Sequence, residues 1–141
     1  MEENSLPERW KDRWNDLADG RKDTIIGFLG LRIEEADGER IVMTMEADDR
    51  HLNPLGIVHG GVTATLLDSV MGCAVYQACP GAKSVTTNLN VHYMAPLQKG
   101  RITATARVEH RSRSTLTVTG KVMNDQGEMC ALATGSFRLI R

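Results

Sequence analysis

Polar and apolar residues alternate along much of the chain, and the pattern breaks most plainly at 59–79, HGGVTATLLDSVMGCAVYQAC. Leu67, Val70, Met71, Ala74, Val75 and Ala78 recur at the i, i+3, i+4 spacing of one helix face, and the opposite side carries Val62, Ala64, Leu66 and Cys73 in place of charges. This pattern predicts one long helix, buried nearly all round. Asp68, Ser69 and Gln77 interrupt the run and its flanks are ordinary soluble segments, which argues against a membrane span.

The rest reads as a sheet around that helix. Ser5-Leu6-Pro7-Glu8 matches a capping box, opening an N-terminal helix over about 6–18 with Gly20 as its stop. Trp10, Trp14 and Leu17 line one face of it, as a surface docked on the protein's own core or laid over a pocket mouth. A strand is expected between Phe28 and Glu35, then a hairpin turn at Asp37-Gly38, then a strand from Ile41 to Ala47. Asp48 to Val58, with Asn53-Pro54 and Gly56, reads as a loop feeding the long helix, which Cys79-Pro80-Gly81 ends.

Four more strands follow, Ser84–Met94, Arg101–Glu109, Thr115–Met123 and Met129–Ile140. In the first of them Val85, Thr87, Leu89, Val91 and Tyr93 are expected on one face and Thr86, Asn88, Asn90 and His92 on the other. The fold class is α+β, a curved antiparallel sheet wrapped around one long central helix.

At 141 residues the chain suits a single domain spanning 1–141. A net charge of −1 gives no general electrostatic reason to expect nucleic acid or an anionic membrane as partner. The N-terminus lacks a basic region followed by an apolar one, so a cytoplasmic protein is expected. Cys73, Cys79 and Cys130 lack the paired spacing of a zinc site and read as small buried residues, with no metal or cofactor expected.

Asp68 carries the candidate chemistry. A carboxylate inside a buried helix needs a partner, a proton or a task, so it either accepts hydrogen bonds from a neighbouring strand or subunit or acts in catalysis. Gly61, Ala64, Thr65 and Gly72 keep the surface around it small, as though a chain or ligand approaches there. The N–H groups of Gly60 and Gly61 open the helix at its positive end, where an oxygen gaining negative charge would be stabilised. Gly60 and Asp68 nevertheless lie eight residues apart, about 12 Å along a helix and about 80° around it. If both act on one carbonyl, two such helices must run antiparallel in a two-fold dimer with composite sites.

The stretch from His51 through Asn53, Gly56, His59, Gly60, Gly61, Leu66 and Asp68 to Gly72 resembles the hotdog-fold acyl-CoA thioesterases of the phenylacetate-degradation and human thioesterase superfamily member type. Asn90 to Pro96, NVHYMAP, is similar to them too, and the resemblance runs from about Phe28 to Ile140. It implies a hotdog fold and hydrolysis of an acyl-CoA, with Asp68 as nucleophile or general base and the Gly60 N–H polarising the thioester carbonyl.

It further implies that Asn53 orients the carbonyl or the water from the subunit that supplies Gly60. His59 holds the Asn53 loop, polarises the site or simply caps the helix, and Thr86 places a hydroxyl near the attacking water where some relatives have serine. Gly61 lets substrate approach, and Arg111 and Arg113 in the turn from His110 to Ser114 contact the nucleotide end of coenzyme A or remain solvated surface. The same resemblance implies a homodimer, paired into a homotetramer. A non-catalytic acyl-CoA-binding protein on this fold is the alternative.

Overall fold

The computed structural model describes residues 6–140. Ser5, and with it the expected capping box, lies outside the described residues. The long helix α3 (Gly60–Ala78) lies against a six-stranded antiparallel sheet in the order β1-β2-β4-β5-β6-β3, with β1 Arg32–Asp37, β2 Arg40–Ala47, β3 Lys83–Tyr93, β4 Gly100–Arg111, β5 Thr115–Met123 and β6 Met129–Ile140. Two helices precede the sheet, α1 (Leu6–Gly20) packed on β1 and the short α2 (Ile25–Leu29).

Alternation decides which residues meet α3. Ile41, Met43 and Met45 of β2, Ile102, Ala104 and Ala106 of β4, and Leu116, Val118 and Val122 of β5 are buried and join one core with Leu66, Leu67, Val70, Met71 and Ala74 of the helix. Burial of this apolar surface, at about 25 cal/mol per Å2, is the main force holding helix to sheet. The sheet approaches α3 closely at β6, where a Cβ added to Gly135 would lie 2.5 Å from Cε of Met71. Glycine there leaves the room that the methionine fills.

Three expectations need correction. Phe28 and Leu29 do not begin a strand but end α2, which Thr24 caps by accepting the Gly27 N–H and Gly30 closes in the left-handed region at φ 67°. An Oγ1 cap followed by a left-handed glycine outweighs the β propensity of the apolar run. β1 therefore starts at Arg32. The hairpin that follows has Gly38-Glu39 as its two loop residues, with Gly38 at φ 53°.

The second correction concerns β3, where register shifts between Thr86 and Asn88. This bulge at Thr87 consumes one residue, so the strand changes face at that point. Val85 turns outward, 44% exposed, while Thr86 joins Leu89 on the side of α3. The strict alternation expected from Val85 to Tyr93 thus fails at the position that matters for the site.

Third, α3 is not buried nearly all round. Leu66, Leu67, Val70, Met71, Ala74 and Val75 are buried, but Ala64, Thr65, Asp68, Ser69 and Gly72 form a half-exposed stripe and Gly61 is exposed. The stripe that sequence marked as small is the side of the helix that the sheet leaves open. No described helix is long and apolar enough to cross a membrane.

Candidate active site

Asp68 faces β3. Its Oδ1 accepts a hydrogen bond of 2.7 Å from the Thr86 hydroxyl, which fixes one carboxylate oxygen and leaves Oδ2 for other chemistry. The bulge at Thr87 is what brings that hydroxyl to this face. Asp68 and Thr86 share a cavity with Ser69, Gly72 and Ser84, and Ala64, Thr65 and Leu89 border them on the open side. Cys73 also lines the cavity, but burial pushes its thiol far above the ordinary range and keeps it neutral. The Asp68 carboxylate is thus the candidate nucleophile or base of this cavity, and the thiol is not.

The helix start is built separately. The His59 side chain caps α3, its Nδ1 accepting the Gly61 N–H at 2.8 Å, and the His59 C=O accepts from Val62 and Thr63. Of the two glycine N–H groups expected to be free, Gly61's is therefore taken. The Gly60 N–H donates to no described residue, and it stands at the positive end of a 19-residue helix. Tyr93 donates its phenolic O–H to the Gly60 C=O at 2.7 Å, and its ring lies 3.5 Å from where a Cβ on residue 60 would stand. Gly60 is thereby clamped with its N–H free.

The loop before the helix holds Asn53 beside this donor. Asn53 Oδ1 accepts from the Leu55 N–H at 2.9 Å and more weakly from Ile57 at 3.4 Å, so its amide N–H2 is the part left to offer a ligand. Gly56 closes the turn at φ 83°, a conformation that favours glycine. His51 anchors the loop from within. It is 1% exposed, its Nδ1 accepts the Asp48 N–H at 3.0 Å, its C=O accepts the His59 N–H, and its ring meets Phe28 edge to face at 5.9 Å.

Asn53, Gly60, Thr63 and Tyr93 line a cavity distinct from the one that holds Asp68. Within one chain the structure thus brings Asp68 to Thr86, and Asn53 to Gly60, with His59 capping the helix that Gly60 opens, but keeps the two groups apart. Arg111 and Arg113 line neither cavity. Arg111 Nη1 donates to the Ala78 C=O at 3.3 Å, where its charge suits the negative end of α3. Arg113 lies with Ser114 and Arg138 at a third depression.

Sequence reasoning assigned no role to Tyr93 or His51. Both sit inside the quoted motifs, so the signal was present, but only the fold shows that one clamps Gly60 and the other pins the Asn53 loop.

A family model described as the thioesterase superfamily matches residues 55–131, more than half of the chain. The chain belongs to the thioesterase superfamily. The match takes in His59, Gly60, Gly61, Asp68, Thr86, Arg111 and Arg113.

Among its relatives, the putative esterase PA1618 of Pseudomonas aeruginosa is 30% identical over 115 residues, covering 80% of this chain and 79% of that one. Mouse acyl-coenzyme A thioesterase 13 is 38% identical over 79 residues, 55% of this chain and 56% of that protein. Among solved structures, the PaaI protein of the Escherichia coli phenylacetic acid degradation operon superposes with a TM-score of 0.82 at 28% identity, covering 97% of each chain. The fold is the hotdog fold of these thioesterases, and the chain is a thioester hydrolase.

Proposed function

We propose that the protein is one hotdog domain that hydrolyses an acyl-CoA to the free acid and coenzyme A, at sites shared between the two subunits of a homodimer. The observation that carries this reading is the division of the machinery, a hydrogen-bonded carboxylate in one cavity and a free helix-start N–H in another. A thioester carbon needs both within reach. Neither half is complete alone.

The edge strand β3 supports the dimer. It has a neighbour on one side only, β6, and Tyr93 is 55% exposed along it. An unpaired edge is a ready partner for a second copy, and antiparallel pairing of two β3 strands would set the small stripe of one α3 against that of the other. Asp68 of one protomer would then face Gly60 and Asn53 of the partner subunit. Pairing of such dimers into a tetramer belongs to the same proposal and rests on the family resemblance alone.

In the proposed reaction the thioester oxygen accepts from the Gly60 N–H and the Asn53 amide, while Gly61, lacking a side chain, lets the substrate pass. His59 acts through its cap, holding the first turn so that Gly60 presents its N–H. Asp68 Oδ2 takes the proton of a water that attacks the carbonyl carbon, and the Thr86 hydroxyl holds Oδ1. The tetrahedral intermediate expels coenzyme A thiolate, which is protonated by solvent or by Asp68, and the free acid leaves. Direct attack by Asp68, through an anhydride that water then opens, uses the same atoms. Arg111 and Arg113 are assigned to the nucleotide phosphates. The three cysteines, all buried and free, suit a reducing cytoplasm.

The test is complementation. An Asp68→Asn and an Asn53→Ala protein, each inactive alone, should regain thiol release from acyl-CoA when unfolded and refolded together, since some heterodimers then hold one intact site. Sites built within one chain would give no recovery although heterodimers form. A protein that binds acyl-CoA with no turnover would instead be the non-catalytic relative.

A further inference from the structure

α1 contributes Trp10, Arg13 and Trp14 to the wall of the cavity that holds Asp68, with Tyr76 of α3 and Phe137 of β6. Four aromatic rings thus line a space of about 380 Å3 that the Asp68 carboxylate also lines. Ligand pockets run from about 300 to 1,000 Å3, so this one suits a compact acyl group and not a long chain.

Its walls are held in place. Trp10, 6% exposed, meets Tyr76 edge to face at 5.3 Å and 68°. The Trp14 indole N–H donates to the Leu31 C=O at 2.8 Å. Asn15 clasps Ile33 twice, donating from Nδ2 to its C=O at 3.0 Å and accepting its N–H at 2.8 Å. These bonds tie α1 to the lead-in and start of β1, so the aromatic wall is formed before any ligand arrives.

The lining carries one charge of each sign. Asp68 is the one carboxylate in its lining and Arg13 the one cation, and Arg13 has no hydrogen bond or ion pair with another described residue. We propose that this is the acyl pocket, and that it selects an aromatic acyl group whose far end bears a carboxylate received by Arg13, as in the mono-CoA thioester of an aromatic dicarboxylic acid.

The proposal rests on the acyl-CoA reading. With the thioester carbonyl at Asp68, whatever extends from it runs between the rings towards α1. A second carboxylate on that path would be repelled by Asp68, and it gains only where a cation offsets the charge. The guanidinium is planar and matches a carboxylate through two parallel N–H donors. Because Arg13 is exposed, solvent screens the pair, and discrimination of about twofold to fivefold is expected in place of the larger factor a buried pair would give.

The experiment compares kcat/KM for 4-carboxybenzoyl-CoA and benzoyl-CoA in the wild-type protein, Arg13→Gln and Arg13→Glu. The wild type should favour the carboxylated substrate by about twofold to fivefold. In R13Q the ratio should fall to near one, and in R13E it should invert. Hydrolysis of both substrates with the same ratio in all three proteins overturns the assignment and leaves the acyl-CoA reading standing, whereas no hydrolysis of any acyl-CoA removes both.

A third substrate, the 4-carboxybenzoyl thioester of N-acetylcysteamine, lacks the nucleotide. Persistence of the R13Q effect there supports the acyl assignment. Its disappearance would mean that Arg13 reads the phosphates of coenzyme A, which also overturns it.

Discussion

Replacing Asp68 by Asn separates chemistry from structure at this site. The amide is nearly isosteric, and its oxygen still accepts the Thr86 O–H that now reaches Oδ1 at 2.7 Å. Asp68 is half-exposed and has no ion pair among the described residues, so neither a buried charge nor a salt bridge is lost. Unfolding free energy should change by less than about 1 kcal/mol. Substrate binding should persist, because the aromatic wall and the Gly60 N–H are untouched.

What disappears is the capacity to take a proton or attack. Positioned acid–base groups contribute about a hundredfold to ten-thousandfold in rate, so kcat should fall by that factor, about 2.7 to 5.4 kcal/mol of barrier at 1.36 kcal/mol per tenfold. Continuous detection of released thiol gives kcat and KM, and calorimetry with intact acyl-CoA gives affinity in D68N, where turnover is slow. A variant within tenfold of wild-type kcat would remove Asp68 from the reaction. Equal losses in affinity and rate would make it a binding group instead.

Two further outcomes follow from the packing and the rim. Gly135→Ala places a methyl 2.5 Å from Met71 Cε, an overpacked contact expected to cost about 1–3 kcal/mol; the denaturation midpoint should drop, and the cost of Gly135→Ala should be smaller when measured in a Met71→Ala background. Arg111→Ala with Arg113→Ala should raise KM for acyl-CoA with little change in kcat, less so for a thioester lacking the nucleotide, and added salt should imitate the change. An unaltered KM at low salt would return both arginines to the surface.

The strands from Thr115–Met123 and Met129–Ile140 match their observed limits, because alternation with turn residues between is local information. The long helix was equally legible, since an apolar run with a capping histidine and a terminating Cys-Pro-Gly needs no tertiary partner to be recognised. Asp68 stood out for the same reason, as the lone charge in that run.

What the sequence by itself determined is therefore the six strands and the long helix, though not α2, together with the α+β class, the family and the candidate groups for the chemistry. Tertiary structure decided where those groups point. A bulge at Thr87 inverts the face of half a strand, and nothing in the residues 84–94 announces it, because a single extra residue costs little locally and is fixed by pairing with β6. The same holds for the Gly61 N–H, which its neighbour's imidazole claims, and for α1, whose tryptophans suited either a docking face or a pocket mouth until the fold placed them in the wall of the cavity that holds Asp68. Periodicity reports which side of an element is apolar. Only packing reports that the helix's small stripe stays open beside Asp68, since the sheet that buries the other side is assembled from strands distant in sequence.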